Sequence, residues 1–143
     1  MKVILPKTKE DFEKYYDLRW RILRKPWGQP RGSEKDELDN TSYHVMVAEK
    51  EHNPIGVARL QFNNDNEAQI RYMAVDERHQ RRGVGSLLLQ TLEKFAREKH
   101  ASYIILHARE PAVPFYQKHG YHIAGKSYLL FDSIQHFLMK KIL

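Results

Sequence analysis

YMAVDERHQRRGVGSLLL, residues 72–89, decides how this chain is read, because it passes from a strand into a helix through a loop of arginines and glycines. The stretch up to Val75 is extended in character, whereas Val84, Leu88, Leu92 and Phe95 recur at helical spacing. A helix start presents unpaired N–H groups and the positive end of the helix dipole. Gly83 and Gly85 let an anion approach that main chain without meeting a Cβ. The loop of Gln80, Arg81, Arg82, Gly83, Val84, Gly85 and Ser86 is therefore a candidate phosphate cradle, to which Arg81 and Arg82 add charge-assisted hydrogen bonds. The plain alternative is a tight turn with two solvated arginines, and a short glycine motif alone does not choose between them. Neither a P-loop nor a complete dinucleotide-binding GxGxxG is present.

Working outward, Thr8 and Asp11 form a capping-box pattern before a helix whose apolar face carries Phe12, Tyr15, Tyr16, Arg19, Ile22 and Leu23. Pro26 should stop it. Residues 26–41 are rich in Gly, Pro and charge and read as a long loop. YHVMVAE (43–49) and IGVARLQF (55–62) predict a hairpin turned at His52, Asn53 and Pro54, and residues 68–75 a third strand of an antiparallel meander. The helix that follows carries Glu93 and Arg97 as an exposed supporting pair. A strand at 103–106 makes this segment a β-α-β crossover, which favours one parallel pairing. A short helix at 111–119 and strands near 121–124 and 135–142 complete a mixed sheet. A short first strand occupies residues 2–5. The expectation is one α/β domain over residues 1–143, with a mostly antiparallel central sheet.

Composition agrees. A chain of 143 residues with 41% hydrophobic content is long enough for one core. The absence of cysteine excludes disulfides, thiolate metal sites and a catalytic thiol. No apolar run is long enough to span a membrane, so a soluble cytoplasmic protein is expected. The net charge of +6 suits a partner that is anionic. No nucleic acid is expected, since no helix-turn-helix, zinc or RNP pattern occurs. His119 and His122 flank a glycine turn without a matching pair at helical spacing, so no metal is expected.

The segment at 72–89 also resembles the acyl-CoA-binding element of the GCN5-related N-acetyltransferase (GNAT) superfamily, with Gln80, Gly83 and Gly85 in the signature positions. AVPFYQKHGY (112–121) resembles that superfamily's second recurring element, a short FY-bearing helix closed by a glycine and an aromatic residue. More locally, LRWRILR (18–24), the acidic stretch after it, His44 and IQHFLMKKIL (134–143) are similar to the small bacterial acetyltransferases related to ElaA.

The resemblance implies acetyl-CoA as co-substrate and direct transfer of its acetyl group to a primary amine within a ternary complex. It implies that the backbone of Met73, Ala74 and Val75 pairs with the pantetheine arm, that the Val75 N–H polarises the thioester carbonyl, and that the loop at 80–86 holds the pyrophosphate. Tyr116 falls at the general-acid position, whereas Phe115 reads as packing. Where the histone-type enzymes carry a glutamate, this chain has Gln69, which takes no proton. Glu67, two residues away on the same strand face, is the candidate base, with His44, His107 and His136 behind it. The missing glutamate also leaves open a non-catalytic acyl-CoA-binding or regulatory module. Trp27 is a candidate for shaping the acceptor pocket. Glu34, Asp36, Glu37 and Asp39 read as a solvated acidic loop, or as a lure for a cationic amine. A homodimer paired through the carboxy-terminal strands would suit the fold.

Overall fold

Thr8 caps the first helix as its sequence context predicts. In the computed structural model, which describes residues 1–50 and 53–143, the Asp11 N–H donates to Thr8 Oγ1 at 3.0 Å and the Thr8 N–H to Asp11 Oδ2 at 3.2 Å. Helix α1 (Lys9–Leu23) follows, and Pro26, in a 3₁₀ turn at Lys25–Trp27, ends it. The strands are β1 (Lys2–Ile4), β2 (Tyr43–Ala48), β3 (Pro54–Phe62), β4 (Glu67–Val75), β5 (Tyr103–Arg109), β6 (His122–Leu130) and β7 (Ile134–Ile142), with α2 (Val84–Glu98) and α3 (Val113–Lys118) between β4 and β6. His52, assigned to the first hairpin turn, lies outside the described residues.

The seven strands form one mixed sheet in the order β1-β2-β3-β4-β5-β7-β6, antiparallel throughout except at β4–β5. The parallel pair is the predicted β-α-β crossover through α2. Helix α2 buries Leu88, Leu89 and Leu92 on Val45, Ala58 and Leu60, while α1 buries Tyr15 and Leu18 on Met46 and Val57. With a helix on each face, β3 is buried along most of its length, which is why its apolar run does not alternate. Among the described residues no helix is long and apolar enough to cross a membrane.

Two surface assignments are corrected. Glu93 is not an exposed partner of Arg97: it is buried, accepting from the Tyr121 hydroxyl at 2.8 Å and from Lys141 Nζ at 3.1 Å. The acidic loop is not solvated either, apart from Glu37. Glu34 and Asp39 are buried, and Asp36 Oδ1 and Asp39 Oδ1 accept from Arg59 Nη1 at 2.6 and 3.0 Å. Arg19 Nη1 reaches the same Asp39 oxygen at 2.9 Å. Both carboxylates are already spent on guanidiniums, so the loop has little left to attract a cationic amine.

One irregularity in the sheet positions everything that follows. Between the pairs Arg59↔Arg71 and Val57↔Ala74, β4 contains one more residue than β3, and Tyr72 absorbs it with φ 55. This β-bulge bends β4. Strands β4 and β5 pair only over residues 67–70 and 103–106, then separate. The Tyr72 ring is held under the guanidinium of Arg19 at 4.3 Å, with Arg71 at 4.8 Å and Arg59 at 4.9 Å.

Candidate active site

The loop after β4 keeps its helix terminus open. Asp76 caps a 3₁₀ turn at Glu77–His79, and Gln80 Nε2 reaches back to the Val75 carbonyl at 3.4 Å. Arg81 (φ 64) and Gly83 (φ 85) both adopt the left-handed conformation, so the chain folds sharply into α2. Gly83 is the N-cap and supplies no side-chain cap, and the first main-chain bond of the helix runs from the Leu87 N–H to the Gly83 carbonyl at 3.0 Å. The N–H groups of Val84, Gly85 and Ser86 therefore have no acceptor among the described residues. Gln80, Arg81 and Arg82 are exposed beside them, and neither arginine is ion-paired among the described residues.

The two glycines serve different ends. A Cβ on Gly83 would meet nothing within 4 Å, which leaves the approach to the helix start clear. A Cβ on Gly85 would lie 3.1 Å from Phe115 Cζ, so this glycine also lets α3 pack on α2. Phe115 thus packs, as its sequence context indicates. Ser86 Oγ is paired with His119 Nε2 at 2.8 Å and the Val84 side chain is buried, so at the helix start these two residues present chiefly their main-chain N–H groups.

The gap between β4 and β5 continues from this loop. The Asp76 N–H donates to the Ile55 carbonyl of β3 at 2.8 Å, and strand alternation from that point turns the main-chain groups of Met73 and Val75 toward the gap and those of Ala74 toward β3. Met73 and the Val75 N–H are therefore open to an added strand, the Val75 carbonyl meeting the exposed Gln80 amide at 3.4 Å, whereas Ala74 is paired with Val57 and buries its methyl beneath α1.

Deeper in the gap is a cavity of about 130 Å³, lined by Met73, Tyr116, His107, His136 and three arginines among others. A wider recess of about 650 Å³ lies beside α1 and Asp76 but is open to solvent and shares no residue with this cavity. The recess is the roomier of the two, but the gap is the one that holds a buried tyrosine and two histidines beside the open end of β4. Tyr116 is buried on α3, and its hydroxyl meets Met73 Sδ at 3.5 Å. Burial, opposed by the Arg109 charge, pushes its phenol up to about 12. The proton is thus firmly held and pointed at a thioether, a weak acceptor that a stronger one would displace.

The gap thus joins an uncapped helix start to a buried tyrosine. The Acetyltransferase (GNAT) family profile matches residues 12–121. The chain belongs to the GNAT family. It is 34% identical to the Bacillus subtilis (strain 168) protein named uncharacterized N-acetyltransferase YjcF, over 99% of each chain. In fold it is similar to a GNAT acetyltransferase from Elizabethkingia anophelis solved with acetyl-CoA bound (18% identity, TM-score 0.77, 99% and 97% of the two chains). It is also similar to Escherichia coli ElaA (18% identity, TM-score 0.78, 98% and 97% of the chains).

Within this GNAT domain the candidate bases separate. Glu67 shares a strand face with Gln69, as predicted, yet sits where β4 and β5 are still paired. Its oxygens accept from Tyr103 Oη at 2.9 Å and Asn63 Nδ2 at 2.7 Å, and it does not line the cavity. Gln69 lines it, with Oε1 accepting from the same Asn63 amide at 2.9 Å. His44 is spent on Tyr15 Oη at 2.8 Å and the Asp39 carbonyl at 2.7 Å, away from the gap. His107 and His136 do line the cavity. Burial, with nearby arginines, lowers both below the ordinary histidine value, so both are neutral near pH 7. His136 Nδ1 donates to the Ile134 carbonyl at 3.0 Å, and among the described residues its Nε2 lone pair and the buried His107 Nδ1 have no partner. Trp27 lies outside the lining but stacks beneath the Arg109 guanidinium at 4.5 Å, so it shapes the cavity from behind.

Proposed function

We propose that this chain moves the acetyl group of acetyl-CoA to a primary amine by direct attack in a ternary complex. The observation that carries the reading is the continuity of an uncapped helix start with a sheet gap that ends at Tyr116. Main-chain N–H groups at 84–86, with Arg81 and Arg82, would hold the pyrophosphate. Met73 and Val75 would pair with the pantetheine arm as an added strand. Because Tyr116 lies against Met73, the reacting end falls there, and the Met73 N–H rather than that of Val75 is placed to receive the developing oxyanion.

The incoming amine must lose a proton before or during attack, since its ordinary pKa is about 10.4. His136 Nε2 is the group placed to take it, with His107 and water as the path onward and Glu67 held in reserve behind Gln69. As the C–S bond breaks, Tyr116 supplies a hydrogen bond, then a proton, to the departing sulfur. Its raised pKa makes the first role stronger than the second.

The thiol released from acetyl-CoA over a panel of amines tests the activity. Tyr116→Phe should lower kcat by about 10²-fold while acetyl-CoA affinity changes less than about twofold. Full activity in that variant would reduce Tyr116 to packing. A protein that binds acetyl-CoA and releases no thiol with any amine would favour the binding-module reading. The histidine carries its own signature. Since its folded pKa lies below about 6.5, the free base persists at neutral pH and is lost as pH falls through that lowered value. The kcat/KM profile should therefore show an acid limb below about pH 6.5 that His136→Gln removes, and an unchanged limb would exclude His136 as the base.

A further inference from the structure

We infer that the amine acceptor carries an anionic group, most simply a carboxylate close to the amine, which Arg24, Arg71 and Arg109 receive at the acceptor side of the gap. This rests on the acetyltransferase reading of the same cavity and names the chemical class of its second substrate.

The cavity lining contains those three arginines and no aspartate or glutamate. Two of the three have no carboxylate partner among the described residues. Arg24 donates Nε to the Ser33 carbonyl at 3.0 Å and Nη1 to the Leu23 carbonyl at 2.9 Å, which leaves Nη2 uncommitted. Arg109 donates Nη2 to the Leu23 carbonyl at 3.2 Å and stacks on Trp27, which leaves Nε and Nη1. Arg71 touches Asp36 at 3.3 Å, but that carboxylate is already held by Arg59 through both oxygens, at 2.6 and 3.1 Å. Each of these two guanidiniums is partly buried and held by main-chain carbonyls and aromatic faces rather than by a carboxylate, with donors still open, an arrangement suited to receiving an anion.

Burial, with Arg71 and Arg19 near Arg24 and with Arg24 near Arg109, makes the cationic form of Arg24 and of Arg109 harder to hold than in water, and the opposing pull of the nearby tyrosines does not cancel this. The pyrophosphate does not answer this charge, because its cradle lies at the other end of β4, beyond Val75, and the pantetheine arm between them is neutral. A polyamine or an aminoglycoside would bring further positive charge into the same space. The cavity of about 130 Å³ is also well below the few hundred Å³ that a drug-sized ligand fills. A small zwitterion answers both constraints: its amine faces His136 and its carboxylate meets the planar guanidinium forks.

The intact protein is first titrated with acetyl-CoA by calorimetry, so that failure of the cofactor site registers separately as absent binding. Thiol release is then measured with the standard α-amino acids, their α-carboxamides, the decarboxylated amines, phosphoethanolamine and spermidine. The best carboxylate should exceed its own carboxamide and decarboxylated amine at least tenfold in kcat/KM. Arg109→Gln and, separately, Arg24→Gln should collapse that preference of carboxylate over carboxamide in kcat/KM, and should leave acetyl-CoA affinity unchanged. Preference for phosphoethanolamine over every carboxylate would keep the anionic requirement and assign it to a phosphate. Equal or better turnover of carboxamides, decarboxylated amines or spermidine overturns the inference. So does acetyl-CoA binding with no acceptor used, or arginine variants that raise KM equally for charged and uncharged amines.

Discussion

Gly83→Glu is expected to weaken acetyl-CoA binding by at least about 100-fold, close to 3 kcal/mol, while the domain stays folded. The substitution projects a carboxylate into open space at the N-cap of α2, where the unpaired N–H groups of residues 84–86 face outward. It would occupy the anion position itself, as an internal competitor held by the helix dipole. The fold should survive because a Cβ there touches nothing within 4 Å, and the cost is that of φ +85 in a non-glycine residue, roughly 1 kcal/mol. Gly83→Ala separates the two effects, since it should lose the same stability and keep the affinity. Calorimetric titration and thermal unfolding of both variants provide the check, and equal affinity in Gly83→Glu and the wild type would remove the cradle.

Arg59→Met should be the most destabilising single change outside the apolar core, by about 3–5 kcal/mol and roughly 10 °C or more in Tm. Arg59 is fully buried on the central strand β3 and ties down both Asp36 and Asp39. Its loss leaves two carboxylates with part of their compensation gone. Arg71→Met, which removes a half-exposed contact to the same Asp36, should cost less than about 1 kcal/mol. A comparable loss from both variants would contradict the assignment of Arg59 as the keystone. The same network sets an acid limit. Burial alone would raise Asp36 and Asp39, but the guanidiniums and main-chain N–H groups outweigh it and hold both below the ordinary value. Their contribution is therefore complete above the unfolded value near pH 4 and lost as pH falls through the lower folded values.

What the sequence revealed was local. Thr8 with Asp11, the stop at Pro26, the helix from Val84 and the loop at 80–86 each depend on residues within a turn or two of one another, and each is in place. The bulge at Tyr72 was not legible, because an extra residue in β4 exists only relative to the register of β3. The buried network escaped for a similar reason: Arg19 and Arg59 are each 20 residues from Asp39, on opposite sides of it, in a loop whose composition reads as solvated. A signal was present, since an arginine inside the run IGVARLQF cannot sit on a covered central strand without a partner. For the base, alternation correctly placed Glu67 beside Gln69 but not its depth. His136 enters the gap only because β7 inserts between β5 and β6 and sets it opposite Arg109, a long-range pairing that periodicity does not report.

The most direct test is a structure determined with coenzyme A at saturating concentration. Diphosphate oxygens should lie roughly 2.7–3.2 Å from the main-chain N–H groups of residues 84–86, the pantetheine arm along Met73 and Val75, and the thiol beside Tyr116. A nucleotide seated elsewhere, or none at all, would contradict the account.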